Sequence, residues 1–102
     1  MLELRPNCEC CDKDLPLAAT DAMICTYECT FCADCVEKVL SNVCPNCGGG
    51  FVPRPIRPAI ERRKGLSISH QPPSKKRVRT NYNQTDLRAL AEPLKSIKPE
   101  ER

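Results

Sequence analysis

Nine cysteines lie in the first half of this 102-residue chain, and their spacing constrains the fold more than any other feature. Two residues between paired cysteines allow one tight turn to direct both sulfurs at a single ion, and Zn²⁺ readily takes four thiolates in a tetrahedral shell. The spacing therefore predicts two zinc ions, each held by four cysteines, instead of disulfides. The paired cysteines are Cys8-x2-Cys11, Cys25-x3-Cys29, Cys32-x2-Cys35 and Cys44-x2-Cys47, and Cys10 is left over.

The apolar residues around these cysteines are too few to form a large core. Burying a large apolar side chain contributes about 1.5–3 kcal/mol, and the entropy lost on ordering roughly fifty residues largely cancels the sum. Structural zinc contributes about 10 kcal/mol or more per ion in peptides, so we expect the metal to decide whether the domain folds. The expected core residues are Leu15, Leu17, Ile24, Phe31, Val36, Val39, Leu40, Val43, Phe51 and Val52.

The cysteine count also indicates a cellular compartment. The count is odd, and residues 1–6 do not have the pattern of a signal peptide, so a reducing environment is favoured. No apolar run reaches the roughly eighteen residues that a membrane-spanning helix needs. The sequence therefore predicts a soluble, cytoplasmic protein without a membrane segment.

Charge divides the chain into two unlike halves. Residues 1–52 carry 3 Lys and Arg against 8 Asp and Glu, which gives a formal charge of −5. Residues 53–102 carry 13 against 5, which gives +8. The second half also has prolines and low hydrophobicity, which favour extended and disordered chain.

These differences predict two parts: a two-zinc head at residues 1–58 and a basic, proline-containing, largely disordered tail at residues 59–102. Within the tail, Thr85 is expected to cap a short helix over residues 86–92 that Pro93 ends.

The head is expected to contain a short hairpin, one helix and a zinc knuckle. The helix is predicted to begin near Ala33 or Asp34 and to hold Cys35 in its first turn. Its apolar stripe has the spacing i, i+3, i+4 and i+7 in Val36, Val39, Leu40 and Val43.

The segment at residues 44–49 has the composition of a zinc knuckle. Pro45 fixes the turn between its two cysteines, and Gly48 is free to adopt a positive φ just after the second one. Phe51 and Val52 are then expected to return as a short strand against the helix.

The residues leave two ways to share the cysteines between the ions. A sequential grouping joins Cys8, Cys11, Cys25 and Cys29 on one ion and Cys32, Cys35, Cys44 and Cys47 on the other. An interleaved grouping closes longer loops and therefore constrains the unfolded chain more, so we favour it. It assigns Cys8, Cys11, Cys32 and Cys35 to site 1 and Cys25, Cys29, Cys44 and Cys47 to site 2.

The order of these elements resembles a RING-type zinc domain. Residues 29–35, the apolar helix after them and the knuckle at 44–47 resemble its second half, and the spacings of the earlier pairs fall within the family's range. The resemblance covers residues 8–47, with Cys29 where the family usually has His. It implies a small zinc-stabilised α+β fold with a RING-like cross-brace, or treble clef, and it supports the interleaved grouping.

A narrower resemblance involves residues 4–11 and 44–55. Together they are similar to a family of small, mostly bacterial proteins catalogued as the domain of unknown function numbered twelve seventy-two. The likeness extends to about Pro58 and fades toward Val78. It implies a bacterial cytoplasmic protein and supplies no activity.

Three functional classes follow from these features. RING domains of eukaryotes are commonly ubiquitin ligases. This chain has Cys10 where such ligases usually have an aliphatic residue between the first two ligands, Gly48 where they often have an arginine after the last ligand, and no tryptophan. These differences argue against ligase activity. A catalytic zinc is disfavoured because four thiolates normally close the coordination shell, and the single histidine, His70, lies outside the cysteine frame. We therefore expect a non-enzymatic adaptor module with structural zinc.

A protein is the expected partner. Nucleic acid is an alternative partner, since clustered cations displace counterions from phosphate. The acidic head argues against this alternative because it would repel phosphate. Cys10 is expected to be a spectator beside the metal, with a redox sensor or a spare ligand as alternatives. The cations that would contact nucleic acid are Lys75, Lys76, Arg77 and Arg79, joined by Arg62, Arg63 and Lys64.

Overall fold

The computed structural model describes all residues from 1 to 102 and has a small α+β architecture, which confirms the fold class at this level. None of its helices combines the length and the apolar character needed to cross a bilayer. The elements in chain order are β1 (Ala22–Ile24), β2 (Thr30–Cys32), α1 (Ala33–Lys38), β3 (Val52–Pro53), α2 (Gln84–Ala91) and a 3₁₀ turn at Pro99–Glu101.

The three strands form one antiparallel sheet in the order β2-β1-β3. β1 and β2 make the expected short hairpin, in which Met23 faces Phe31. β3 pairs with β1, through Ile24 and Val52, and so joins the sheet instead of packing on the helix as a separate strand. The sheet therefore joins the hairpin to β3, the strand that follows the knuckle.

Phe51 and Val52 have different environments. Successive residues of an extended chain point to opposite sides, and Phe51 is the buried one. Its ring meets Phe31 edge to face, with the ring centroids 5.4 Å apart. Val52 is 60% exposed, so its prediction as a core residue was wrong.

Helix α1 begins at Ala33 with Cys35 in its first turn, as predicted, but it ends at Lys38. The apolar pattern indicated a helix that reached Val43. Ser41 and Asn42 have φ values of 51° and 59°, and this left-handed backbone reverses the chain before the pattern is complete. Leu40 and Val43 are buried as expected, but they lie in the turn after α1 and not on the helix.

Cysteines and apolar side chains share one core. The buried cluster of the head contains Cys8, Cys25, Cys29, Cys32, Cys35 and Cys44 together with the apolar residues. Of the expected core residues, Leu17 is only half-buried, while those that are buried are Leu15, Ile24, Phe31, Val36, Val39, Leu40, Val43 and Phe51.

Residues after Pro58 lie against the head at several points. The buried side chain of Asn7 forms a two-way pair with the backbone of Val78: its Nδ2 donates to the carbonyl at 2.9 Å, and its Oδ1 accepts from the N–H at 3.2 Å. Leu87, on α2, is 2% exposed and belongs to the core cluster. The domain boundary and the disorder of the tail stay predictions. A disordered tail would have to break the contacts of Val78 and Leu87 with the head.

The predicted short helix in the tail is confirmed, with a different cap. The Asn83 side chain accepts a hydrogen bond from the N–H of Asp86 at 2.8 Å, so the helix begins at Gln84 and Thr85 lies within it.

The opposite environments of Phe51 and Val52 provide a matched pair of substitutions. Phe51→Ala removes the edge-to-face ring and leaves a cavity, so it should lower the free energy of unfolding by about 3–5 kcal/mol. Val52→Ala, on the exposed side, should change it by about 0.5 kcal/mol or less. Denaturant titration of the zinc-saturated chain, followed by circular dichroism, measures both. Equal destabilisation would show that the sheet is oriented differently.

Candidate metal centres

The first cysteine group has the dimensions of a single metal shell. The sulfurs of Cys8, Cys11, Cys32 and Cys35 all lie within 4.8 Å of one another, and those of Cys11 and Cys32 are 3.8 Å apart. A tetrahedron with Zn–S bonds of about 2.3 Å has edges of about 3.8 Å. These four thiols are therefore compatible with one tetrahedral ion.

Three local structures bring these sulfurs together. Cys8 and Cys11 lie on a loop in which Cys8 donates to the carbonyl of Lys13 and accepts from the N–H of Asp12. Asp12 has a φ of 64°, which turns the chain back after the second cysteine. Cys32 ends β2, and the first turn of α1 supplies the last sulfur.

The pKa values of these thiols reflect their burial. Burial raises the pKa of Cys8, and burial together with repulsion from Cys8 raises that of Cys35 strongly. Burial also opposes ionisation of Cys11, but hydrogen bonds from the Lys13 backbone and neighbouring thiols outweigh it and lower the pKa. A divalent cation would compensate the buried thiolate charge, and sulfur ligands select zinc over magnesium or calcium.

The second group contains three mutually close sulfurs, those of Cys25, Cys44 and Cys47, within 4.8 Å of one another. Two of them accept hydrogen bonds from backbone N–H groups two residues further on: Tyr27 to Cys25 at 3.3 Å and Gly49 to Cys47 at 3.4 Å. Gly48, which follows the second sulfur of the knuckle, has the expected positive φ, 78°.

Cys29, the predicted fourth ligand, lies beside this group and outside its mutual contacts. Its Sγ is 3.4 Å from Nδ2 of Asn46, which lies between the two knuckle cysteines. Burial raises the pKa of Cys29; the Asn46 amide opposes that shift, and the neighbouring Cys25 adds to it. The structure thus gathers three of the four thiols predicted for site 2 and places the fourth next to them.

The two groups are interleaved along the chain, because Cys25 of the second group lies between Cys11 and Cys32 of the first. A sequential grouping would require Cys25 and Cys29 beside Cys8, whereas Cys25 is grouped with the knuckle. The assignment of all eight cysteines as ligands stays a prediction.

Glu9 has a structural role that the sequence did not indicate. Its backbone N–H donates to the carbonyl of Thr30 at 2.9 Å, its carboxylate accepts from the Thr30 N–H, and it also accepts from Arg5 at 2.8 Å. Glu9 is 2% exposed, so this buried pairing fixes the first cysteine loop to β2. An acidic residue between cysteines usually lies on the surface, and no pattern marked this one as buried.

Two other residues lie outside both groups. Cys10 is half-buried, and burial raises the pKa of its thiol. Its carbonyl accepts a hydrogen bond from Arg79 at 3.3 Å. His70 pairs with Glu61 in the second half of the chain.

Some cations of the predicted cluster are paired with acids of the head, and others are exposed. Arg77 reaches back to the first cysteine loop, where it pairs with Asp12 at 3.1 Å and Asp14 at 2.7 Å. Lys75 and Lys76 are exposed. The basic segment therefore neutralises part of the acidic head within the same chain.

Comparisons with known proteins agree with the narrower resemblance. Residues 1–57 match the family described as "Protein of unknown function (DUF1272)". The chain is also 66% identical over 64 residues to an uncharacterised protein of Rhizobium meliloti (strain 1021), an alignment that covers 63% of this chain and 76% of the relative. No solved structure gave a significant match.

The ligand assignment can be tested by counting metal. Native mass spectrometry should find two zinc ions on the unmodified chain. Cys32→Ser should lose at least one ion, because it removes a thiolate from the first group, while Cys10→Ala should keep both. If Cys10→Ala loses as much zinc as Cys32→Ser, then Cys10 is a ligand and the assignment is wrong.

Proposed function

This chain belongs to the DUF1272 family of proteins of unknown function, and we propose that residues 1–58 are a zinc-stabilised module that binds a protein partner. We further propose that the head has a RING-like cross-brace and holds two structural Zn²⁺ ions. Site 1 comprises Cys8, Cys11, Cys32 and Cys35, and site 2 comprises Cys25, Cys29, Cys44 and Cys47.

The interleaved grouping of the sulfurs supports this proposal most directly. Each group joins chain segments that are far apart in sequence, so an ion in each would fix the hairpin, α1 and the knuckle in one arrangement. Four thiolates also leave no open position for water or substrate, which favours a structural role over a catalytic one. Cys29 completes the second shell by turning its thiol toward the three neighbouring sulfurs.

Exposed apolar side chains near the second group favour a protein partner. Tyr27 lies in the hairpin loop and is 71% exposed, and Val52 lies on β3 and is 60% exposed. Thr26, the neighbour of Tyr27 in the hairpin loop, lines the same cavity as Val52, so the loop and β3 lie at one end of the sheet. Tyrosine is enriched in protein interfaces because it buries a large, rigid surface at little entropic cost.

Photo-crosslinking in extract of the native host tests this function. With the photoreactive residue benzoylphenylalanine in place of Tyr27, the zinc-loaded full chain should give a discrete protein adduct. The same residue in place of exposed Arg62 serves as the matched control and should not. Removal of zinc with a chelator should abolish the adduct because the loop loses its metal-fixed shape. Equal adducts from both positions, or adducts that persist without zinc, would contradict the proposal.

Nucleic acid is a second candidate, because Lys75 and Lys76 are exposed and Tyr82 nearby is 43% exposed. Phosphate contacts through Lys75 and Lys76 predict weak binding to single-stranded RNA or DNA, with a slope of about −1 to −2 for log K against log salt concentration. Fluorescence anisotropy of a labelled oligonucleotide measures this slope. Joint replacement of Lys75 and Lys76 by alanine should remove the binding, and the hypothesis fails if the unmodified chain does not bind at low salt.

A further inference from the structure

The glycines of the second metal centre are covered by another part of the same chain. Residues 48–50 form a surface without side chains, here named the glycine cradle, and residues 94–102 lie on it as a strap. A Cβ atom built on Gly50 would lie 2.8 Å from Cγ of Pro99, and one built on Gly48 would lie 3.3 Å from Cδ1 of Leu94. The strap approaches closely enough that only glycine fits beneath Pro99.

Arg102 attaches the end of the strap to the head. Its Nη1 donates to the carbonyl of Asn42 at 2.7 Å and is 3.4 Å from that of Gly48. Its Nε donates to the carbonyl of Ile97 at 3.0 Å, which holds the strap in a compact turn. The Asn42 side chain in turn accepts from the N–H of Phe51 at 2.9 Å. The strap is therefore hydrogen-bonded to Asn42, which precedes the knuckle, and to Gly48, which lies near its end.

The strap lies at the accessible side of the second centre. Cys47 is its least buried sulfur, whereas Cys25 and Cys44 are buried. A cavity of about 470 Å³ is lined by Cys47, Pro99 and Arg102 together with the cradle. A chelator that enters this cavity toward the Cys47 sulfur therefore also meets residues of the strap.

Charge favours the same arrangement. A zinc ion with four thiolates has a net charge of about −2. The half-buried guanidinium of Arg102 lines the same cavity as Cys47, so the loaded centre attracts this side chain, and the adjacent Glu100 and Glu101 offset part of that attraction.

We propose that residues 94–102 are an intramolecular strap that closes over the second metal centre and limits access to its exposed ligand, Cys47. This inference rests on the proposed zinc occupancy of that centre. The family match ends at residue 57, so the strap lies outside the matched part of the chain. When the strap opens, a chelator can replace the four thiolates, which take up protons as Zn²⁺ leaves.

The experiment compares a substitution in the cradle with one on the exposed side of the strap, in the full-length, zinc-loaded chain. Gly50→Ala places a methyl group against Pro99 and should speed zinc transfer to a chromophoric chelator on the order of tenfold, as expected for an overpacked contact. Ser96→Ala is the control and should leave the rate unchanged, because Ser96 is an exposed residue of the strap. Pro99→Ala removes the same contact from the strap side and leaves the head unchanged, so it should also speed transfer.

Hydrogen exchange followed by mass spectrometry locates the change. Gly50→Ala and Pro99→Ala should increase exchange over residues 94–102 and 48–52, and not over the first cysteine loop. Unchanged transfer and exchange in both variants, with two zinc ions still bound, would overturn the strap while leaving the proposed function intact. Absence of zinc from the unmodified chain would instead overturn the proposed function.

Discussion

The pairing of Glu9 with Thr30 is the interaction on which the geometry of the head depends. Thr30 lies on β2, between Cys29 and Cys32, which lie beside different sulfur groups. By bonding both backbone groups of Thr30, Glu9 places the first cysteine loop against this strand. A backbone pair and a buried carboxylate therefore align the two cysteine-bearing segments, and a metal ion would fix the sulfurs that they bring together.

Arginines of the second half stabilise the head through neutral carbonyl groups as well as through acids. Arg54, which is 5% exposed, donates to the carbonyls of Arg5, Leu15 and Pro16. Burial lowers its pKa, as expected for a cation whose hydrogen bonds are to uncharged acceptors. These bonds attach the segment after β3 to the loop that precedes β1. The proline-rich segment is thus a structural part of the head.

Sequence reasoning succeeded where side-chain chemistry is local. The cysteine spacing identified the pairs, Gly48 identified the turn of the knuckle, and the start of α1 followed from the apolar pattern. It failed for Val52, because the face of the sheet on which each side chain of a two-residue strand lies depends on how that strand pairs with its neighbour. It also missed Leu87, since α2 is a short, mostly polar helix with leucines at 87 and 90, and the sequence does not indicate which of them enters the core. Cys29 was predicted as a ligand from its spacing and from the RING resemblance; neither specifies a side-chain rotamer, so its ligation stays a prediction.

The pairing of Asn7 with residue 78 has a consequence for how the chain can diverge. The amide contacts only main-chain atoms of its partner. Many different side chains could therefore occupy that position without loss of the two bonds. Selection can conserve the path of this segment while its composition drifts, so relatives that share the head could retain the same route with dissimilar residues.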